Sequence, residues 1–197
     1  VLTNVLFTGN SSGNIGTANA VISRSGYVEL RNVTIVDNIS TNFGVRALTA
    51  LPLSGGSIGV YNSIVFGSIS DGDISFKQSL LQSSADVSNG NINAIGITEA
   101  DIFTNPATGD YTLKSNAIAI DAGEEDFYPG LDIATKDLAG NARVYQYSGG
   151  GVLDLGAYES SYSAFPYVVL TPDANGIIYV KETATGNKNG SDWANAT

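Results

Sequence analysis

The sequence contains no cysteine, no methionine and no histidine. Disulfide and thiolate chemistry are excluded, and with histidine go the commonest general base and the commonest nitrogen ligand for metals. Cations are scarce as well: Lys plus Arg number 9 against 19 Asp plus Glu, leaving a net charge of −10. Nucleic acid and anionic membrane surfaces reward clustered cations, so neither is an expected partner. Charged residues of both signs reach only 14%, and no apolar run is long enough to span a bilayer, so membrane insertion is not expected. No signal peptide is legible at Val1. Chemistry, if there is any, is left to carboxylates, Lys, Arg, Tyr and hydroxyls.

What the chain does have is 197 residues, 43% of them hydrophobic, with 23 glycines. That length suits one domain with a sizeable core. Strand-like runs recur on one template, in which alternating apolar residues lead to an amide and then to another apolar pair. Val1-Leu2-Thr3-Asn4-Val5-Leu6-Phe7 aligns without a gap on residues 29–35 of the run Val28-Glu29-Leu30-Arg31-Asn32-Val33-Thr34-Ile35. Ile58-Gly59-Val60-Tyr61-Asn62-Ser63-Ile64-Val65 is a third copy, and Ile74-Ser75-Phe76-Lys77-Gln78-Ser79-Leu80-Leu81 a weaker fourth. Self-similarity at this spacing marks a solenoid, in which each unit buries its apolar face against its neighbours. The stretches between copies are too long and polar for two-residue hairpins. The expected fold is therefore all-β, a right-handed parallel β-helix over residues 1–115.

In such a stack the aligned amides Asn4, Asn32, Asn62 and Gln78 are expected to lie over one another as a structural ladder. The segments 11–25 and 40–54 read as loops inserted at one corner. Helix signal is nearly absent, apart from a short turn near residues 98–103 with Thr98 as its cap and Asp101 at the third helical position.

After Leu113 the texture changes to a compact Gly- and Asp-rich stretch, residues 116–160, expected to close the open end of the stack as a cap. Residues 161–176 read as a linker and 177–197 as the start of a following β-helix domain. An opening in mid-strand and an end without a terminating element make the whole read as a segment of something longer.

Three ordered blocks are specific enough to compare: Ala119-Ile120-Asp121-Ala122-Gly123, Asp137-Leu138-Ala139-Gly140-Asn141-Ala142-Arg143 and Val152-Leu153-Asp154-Leu155-Gly156-Ala157-Tyr158-Glu159. Together they resemble the choice-of-anchor Q domain, the C-terminal part of pectin-lyase-like parallel β-helix proteins of the Bacteroidota. Within the stretch 178–196, Ile178-Tyr179-Val180-Lys181 and Gly190-Ser191-Asp192-Trp193-Ala194-Asn195-Ala196 look like the opening of another such domain. The resemblance implies tandem domains in a large secreted cell-surface protein, with neighbouring domains of the same chain as first partners. Surface glycans and other cell-surface or secretion proteins are further candidates.

Candidate sites divide into three groups. Asp137, Arg143, Asp154 and Glu159 are expected to hold the cap together. The acids Asp121, Glu124, Asp126 and Asp132 are the best metal candidates, since hard oxygen ligands on a loop suit Ca²⁺. Against that, Asp121 and Asp154 can instead accept backbone amides or pair with Arg143. No catalytic group stands out: Asp71-Gly72-Asp73 has turn composition, while Arg24, Arg31 and Arg46 do no more than imitate a lyase cluster. Phe127, Tyr128, Tyr145, Tyr147, Tyr162, Phe165, Tyr167 and Trp193 could stack on sugars, but beside Gly and Pro they more naturally fill gaps. The reading is a non-catalytic, adhesin-like structural module, with no obligatory cofactor. A polysaccharide lyase or hydrolase, or a glycan-binding β-helix, is the alternative.

Overall fold

The computed structural model describes residues 1–12, 20–40, 46–51, 54–70, 72–144 and 153–162, together with Asn175 and Ile177. The chain divides into two compact units, Val1–Ala164 and Phe165–Thr197. All the described residues except Asn175 and Ile177 belong to the first unit. Most of the linker expected at 161–176, and of the following domain expected at 177–197, lies outside the described residues.

The described part is all-β, with one four-residue α-helix. In chain order come β1 (Leu2–Thr3), β2 (Leu6–Phe7) and β3 (Ser11–Ser12), then β4 (Val21–Ser23), β5 (Gly26–Arg31), β6 (Thr34–Ile35) and β7 (Ile39–Ser40). Next are β8 (Arg46–Ala50), β9 (Gly56–Tyr61), β10 (Ile64–Val65), β11 (Ser68–Ser70), β12 (Asp73–Lys77) and β13 (Leu80–Leu81). The series ends with β14 (Ile92–Asn93), α1 (Glu99–Ile102), β15 (Phe103–Asn105) and β16 (Asp110–Leu113). Among these, only β15 and β16 pair antiparallel. The others form parallel sheets in the orders β1-β5-β9-β12, β14-β13-β10-β6-β2, β11-β8-β4 and β3-β7.

Register follows the sequence template. Leu2 pairs with Leu30, Leu30 with Val60, and Val60 with Phe76, so equivalent residues of successive repeats are neighbours. Each repeat turns from the first sheet to the second through one residue of positive φ: Asn4 at 54°, Asn32 at 49°, Asn62 at 48° and Gln78 at 46°. Asparagine tolerates the left-handed region better than other non-glycine residues, which explains its recurrence at this corner. The row extends one repeat further than the amides. Leu80 pairs with Ile92, which places Gly90, at φ 74°, opposite Gln78. A Cβ there would fall on the Gln78 side-chain oxygen, so the glutamine amide occupies the space a fifth amide would need.

Two segments expected to be loops contain strands of a third sheet, β4 and β8. Val21, Leu48 and Ala50 join Leu30, Ile58, Val60, Ile35, Val65 and Leu81 in one apolar cluster shared by three sheets. The short alternation in each stretch is enough to build a strand once neighbouring repeats supply partners. The turn expected near Thr98 is α1, where the Asp101 carboxylate accepts from the Thr98 N–H and hydroxyl at 2.8 and 2.6 Å.

Side-chain rungs absent from the sequence reading run beside the amide corner. Ser63 Oγ accepts from Val33 N at 3.0 Å, Ser79 Oγ from Ser63 N at 3.2 Å, and Asn91 Oδ1 from Ser79 N at 3.1 Å. A second rung joins Asn10 Nδ2 to Asn38 Oδ1 at 2.7 Å. Each supplies an acceptor to a backbone or amide N–H at a bend, where the strand ladder lapses.

Candidate functional site

The second sheet decides where residues 116–160 go. Its strands are two residues long, and Ile35, Val65 and Leu81 face the cluster shared by the three sheets. Their neighbours Ile64 and Leu80 face the other way and are equally apolar and fully buried. Strands buried on both faces need a cover on each. Here the second cover is formed by Ala94, Ile102, Phe103, Tyr111, Leu113, Ala117, Ala119, Ile120 and Leu155. The stretch expected to close the end of the stack thus lies along its flank, across successive repeats. The runs Val33-Thr34-Ile35-Val36 and Ser63-Ile64-Val65-Phe66, apolar but for one hydroxyl residue each, were the sequence signal for this.

The amide corner is the seam. Asn62 and the Glu124 backbone bond reciprocally, Nδ2 to the carbonyl at 2.8 Å and Glu124 N to Oδ1 at 2.9 Å. Gly156 N donates to the Asn62 carbonyl at 2.8 Å. Asn32 Nδ2 reaches the Asp154 carbonyl at 3.3 Å, and Asn4 Nδ2 reaches Tyr128 Oη at 2.9 Å and the Lys136 carbonyl at 2.8 Å. The expected ladder is therefore a register of backbones; the side-chain donors of these three asparagines go sideways into the covering segment instead of to the next amide. The physical reason is the left-handed backbone, which turns the side chain out of the stack toward whatever lies alongside.

The four residues expected to hold the segment together do converge. Arg143 is fully buried, and its Nη2 donates to the carbonyls of Asp154 at 2.8 Å and Gly156 at 2.7 Å. Its Nε stands 3.6 Å from Glu159 Oε2, an ion pair too long for a hydrogen bond. Asp154 accepts from Asp121 N at 2.8 Å and Ser160 N at 2.6 Å. Glu159 accepts from Asp154 N at 3.2 Å, and Asp137 accepts from Asn141 N at 2.8 Å and Glu159 N at 2.9 Å. One guanidinium thus lies among the carboxyls of Glu159, Asp154 and Asp137 in a space closed to water, and only Glu159 is within ion-pair reach of it.

That imbalance shows in proton affinity. Burial pushes the Asp154 carboxyl up to about 6 against the pull of its amide donors. Burial and the adjacent Asp154 carboxylate push Glu159 up to about 9. Both groups hold their proton more tightly folded than unfolded, so the stability these two contribute is fully present below the ordinary carboxylate range and is lost as pH rises through about 6 for Asp154 and about 9 for Glu159. The melting temperature is expected to fall by several degrees between about pH 5 and about pH 9, and Glu159→Gln, which is neutral throughout, to flatten the upper part of that fall. A flat wild-type profile measured by scanning calorimetry would contradict the assignment.

The acids considered for Ca²⁺ are placed separately. The Asp121 N–H is given to Asp154, and Glu124 is held through its backbone on Asn62. Asp126 is exposed in a single 3-10 turn, Glu125–Phe127. Asp132 accepts from Ala134 N and Thr135 Oγ1, both at 2.9 Å, and these contacts hold its carboxyl below the usual range. Among the described residues no three such side chains converge. Chelation decides between the two readings: a fall of several degrees in melting temperature with EDTA, restored by Ca²⁺, would support the loop as a metal site, and an unchanged melting temperature would remove it.

Of the groups weighed for catalysis, Asp71 and the Arg46 side chain lie outside the described residues. Asp73 and Arg24 are exposed. Arg31 is engaged by Glu29 Oε1 at 2.6 Å and by the Phe127 carbonyl. Phe127 packs on Tyr61, with ring centroids 5.4 Å apart, and Tyr128 bonds Asn4, so both fill the seam. Tyr162 is exposed, while Tyr145, Tyr147, Phe165, Tyr167 and Trp193 fall outside the described residues. No helix among the described residues is long and apolar enough to cross a membrane.

Comparison with family models, with curated proteins and with solved structures returned no match.

Proposed function

We propose that this chain is a non-catalytic structural module of a large secreted cell-surface protein, built as a right-handed parallel β-helix. In this reading its residues 116–160 are a choice-of-anchor Q-like segment laid along the flank. The observation that carries the reading is the register of the positive-φ corner: Asn4, Asn32, Asn62 and Gln78 follow one another through parallel strands, with apolar side chains of three sheets between them. Repeats stacked in this manner add length at constant cross-section, and their stability is a sum of nearest-neighbour interfaces. Rigid reach is what such an object supplies. The flank segment adds stiffness, because its loops bond to several repeats at once.

In the intact gene product, further units carrying the same amide-corner template are expected beside this one, with the neighbouring domains as its partners. A gene product lacking them would remove the spacer role. The competing reading, a polysaccharide lyase or hydrolase, needs paired carboxylates or a base beside a cation. Incubation with polygalacturonate and neutral polysaccharides is expected to release neither unsaturated products nor reducing ends. Turnover that disappears in Asp73→Asn or Asp71→Asn would replace the structural reading with the enzymatic one.

A further inference from the structure

On the first sheet, side chains alternate strictly. Val28, Leu30, Ile58, Val60, Ile74 and Phe76 face the core, so Tyr27, Glu29, Arg31, Ser57, Gly59 and Tyr61 occupy the opposite face. Tyr27 pairs in register with Ser57, and Arg31 with Tyr61. The two tyrosines therefore start four residues apart, about 13 Å along the strands. Their hydroxyls nevertheless meet at 3.0 Å. Both rings must lie along the strands, tip to tip, as one aromatic strip.

Gly59 makes this possible. A Cβ at that position would stand 2.0 Å from Tyr27 Oη and 2.9 Å from Tyr61 Cε2. Its φ lies outside the left-handed region, so the backbone would accept alanine and the need for glycine is one of space. Glycine inside a strand is less favourable than alanine, because it loses more backbone freedom on folding. Here it lets two phenols settle onto the sheet. The strip is also braced. The Arg31 guanidinium lies 4.8 Å from the Tyr61 ring centroid while bonded to Glu29, and Phe127 packs against Tyr61. Tyr27 remains 56% exposed.

We propose that the Tyr27–Tyr61 strip is a binding platform for a neutral glycan, with the Tyr27 ring stacking on a pyranose face and the Glu29–Arg31 pair and Tyr61 hydroxyl meeting its hydroxyls. A rigid, exposed tyrosine offers apolar area at small entropic cost together with a polar tip. The ion pair is 16% exposed at Arg31 and 18% at Glu29, and that exposed part combines donor and acceptor groups, which suits hydroxyl groups. Neutrality follows from charge: Glu29 and Arg31 cancel locally, and the chain carries −10, so a polyuronate gains no attraction here. The site adds a ligand to the spacer role and does not depend on it.

The test is calorimetric titration of the full chain with gluco-, manno- and xylo-oligosaccharides, and with oligogalacturonate as the anionic control. At least one neutral series is expected to bind. Tyr27→Ala and Gly59→Ala are each expected to weaken binding by about tenfold or more. In Gly59→Ala the melting temperature is expected to stay within a few degrees of wild type, because only the far ends of two side chains need move. Absence of binding to every neutral series, preference for oligogalacturonate, or undiminished affinity in Tyr27→Ala would overturn the proposal. A fall in melting temperature in Tyr27→Ala with no glycan signal in wild type would also overturn it, leaving the tyrosines as a shield for the bare Gly59 backbone. Concentration-dependent dimerisation abolished by Tyr27→Ala, again without glycan binding, would reassign the strip to self-contact.

Discussion

Arg143→Met is expected to destabilise the chain by about 3–5 kcal/mol, the range found when one partner of a buried ion pair is removed. Methionine keeps the apolar volume of the arginine stem, so what is removed is the guanidinium with its charge and its donors. Two carbonyls, those of Asp154 and Gly156, lose their shared donor inside a space with no water to replace it. The carboxyls of Asp154 and Glu159 lose the cation beside them. Urea unfolding should show a lower midpoint at unchanged slope. Because protonation relieves part of the uncompensated charge, the deficit should be smaller at about pH 5 than at about pH 8. A variant as stable as wild type at both would show that the guanidinium is not the organising group of the flank segment.

Gly156→Ala is expected to cost about 3 kcal/mol, combining a left-handed backbone with a collision. Gly156 has φ 86°, and a Cβ on it would lie 2.5 Å from Thr34 Oγ1 and 2.9 Å from Ile64 Cδ1. Thr34 Oγ1 cannot retreat freely, since it accepts from Ala157 N at 2.9 Å. Gly109 supplies the control: its φ is 82°, and a Cβ there meets nothing within 4 Å. Gly109→Ala should cost only the backbone strain, about 1–2 kcal/mol. The difference between the two measures how closely the flank segment is seated on the second sheet. Equal costs would mean that no such seating exists.

Both experiments probe what the sequence reading placed elsewhere. Asp137, Arg143, Asp154 and Glu159 were identifiable as a group because they stand in two of the ordered blocks that carry the resemblance. Their location was not. A Gly- and Asp-rich segment carries no periodicity that says which surface it covers, and an open end and an apolar flank make the same demand on it. The tyrosine strip was missed for a similar reason. Tyr27 and Tyr61 alternate with apolar residues as outward positions should, and only the register, with Gly59 between them, brings their hydroxyls together.

The sequence by itself determined the repeat, the strand alternation within it and the corner residue, since period-two patterning and tolerance of positive φ are properties of a few consecutive residues. The tertiary structure decided the rest: the third sheet at positions that read as loops, the sideways bonding of Asn4, Asn32 and Asn62, and the lie of residues 116–144 and 153–160 along the flank. Those outcomes depend on partners a hundred or more residues away in several cases, such as Asn32 with Asp154 and Thr34 with Ala157. Such partners are chosen by the shape and unsatisfied hydrogen bonds of a surface that exists only after the repeats have stacked.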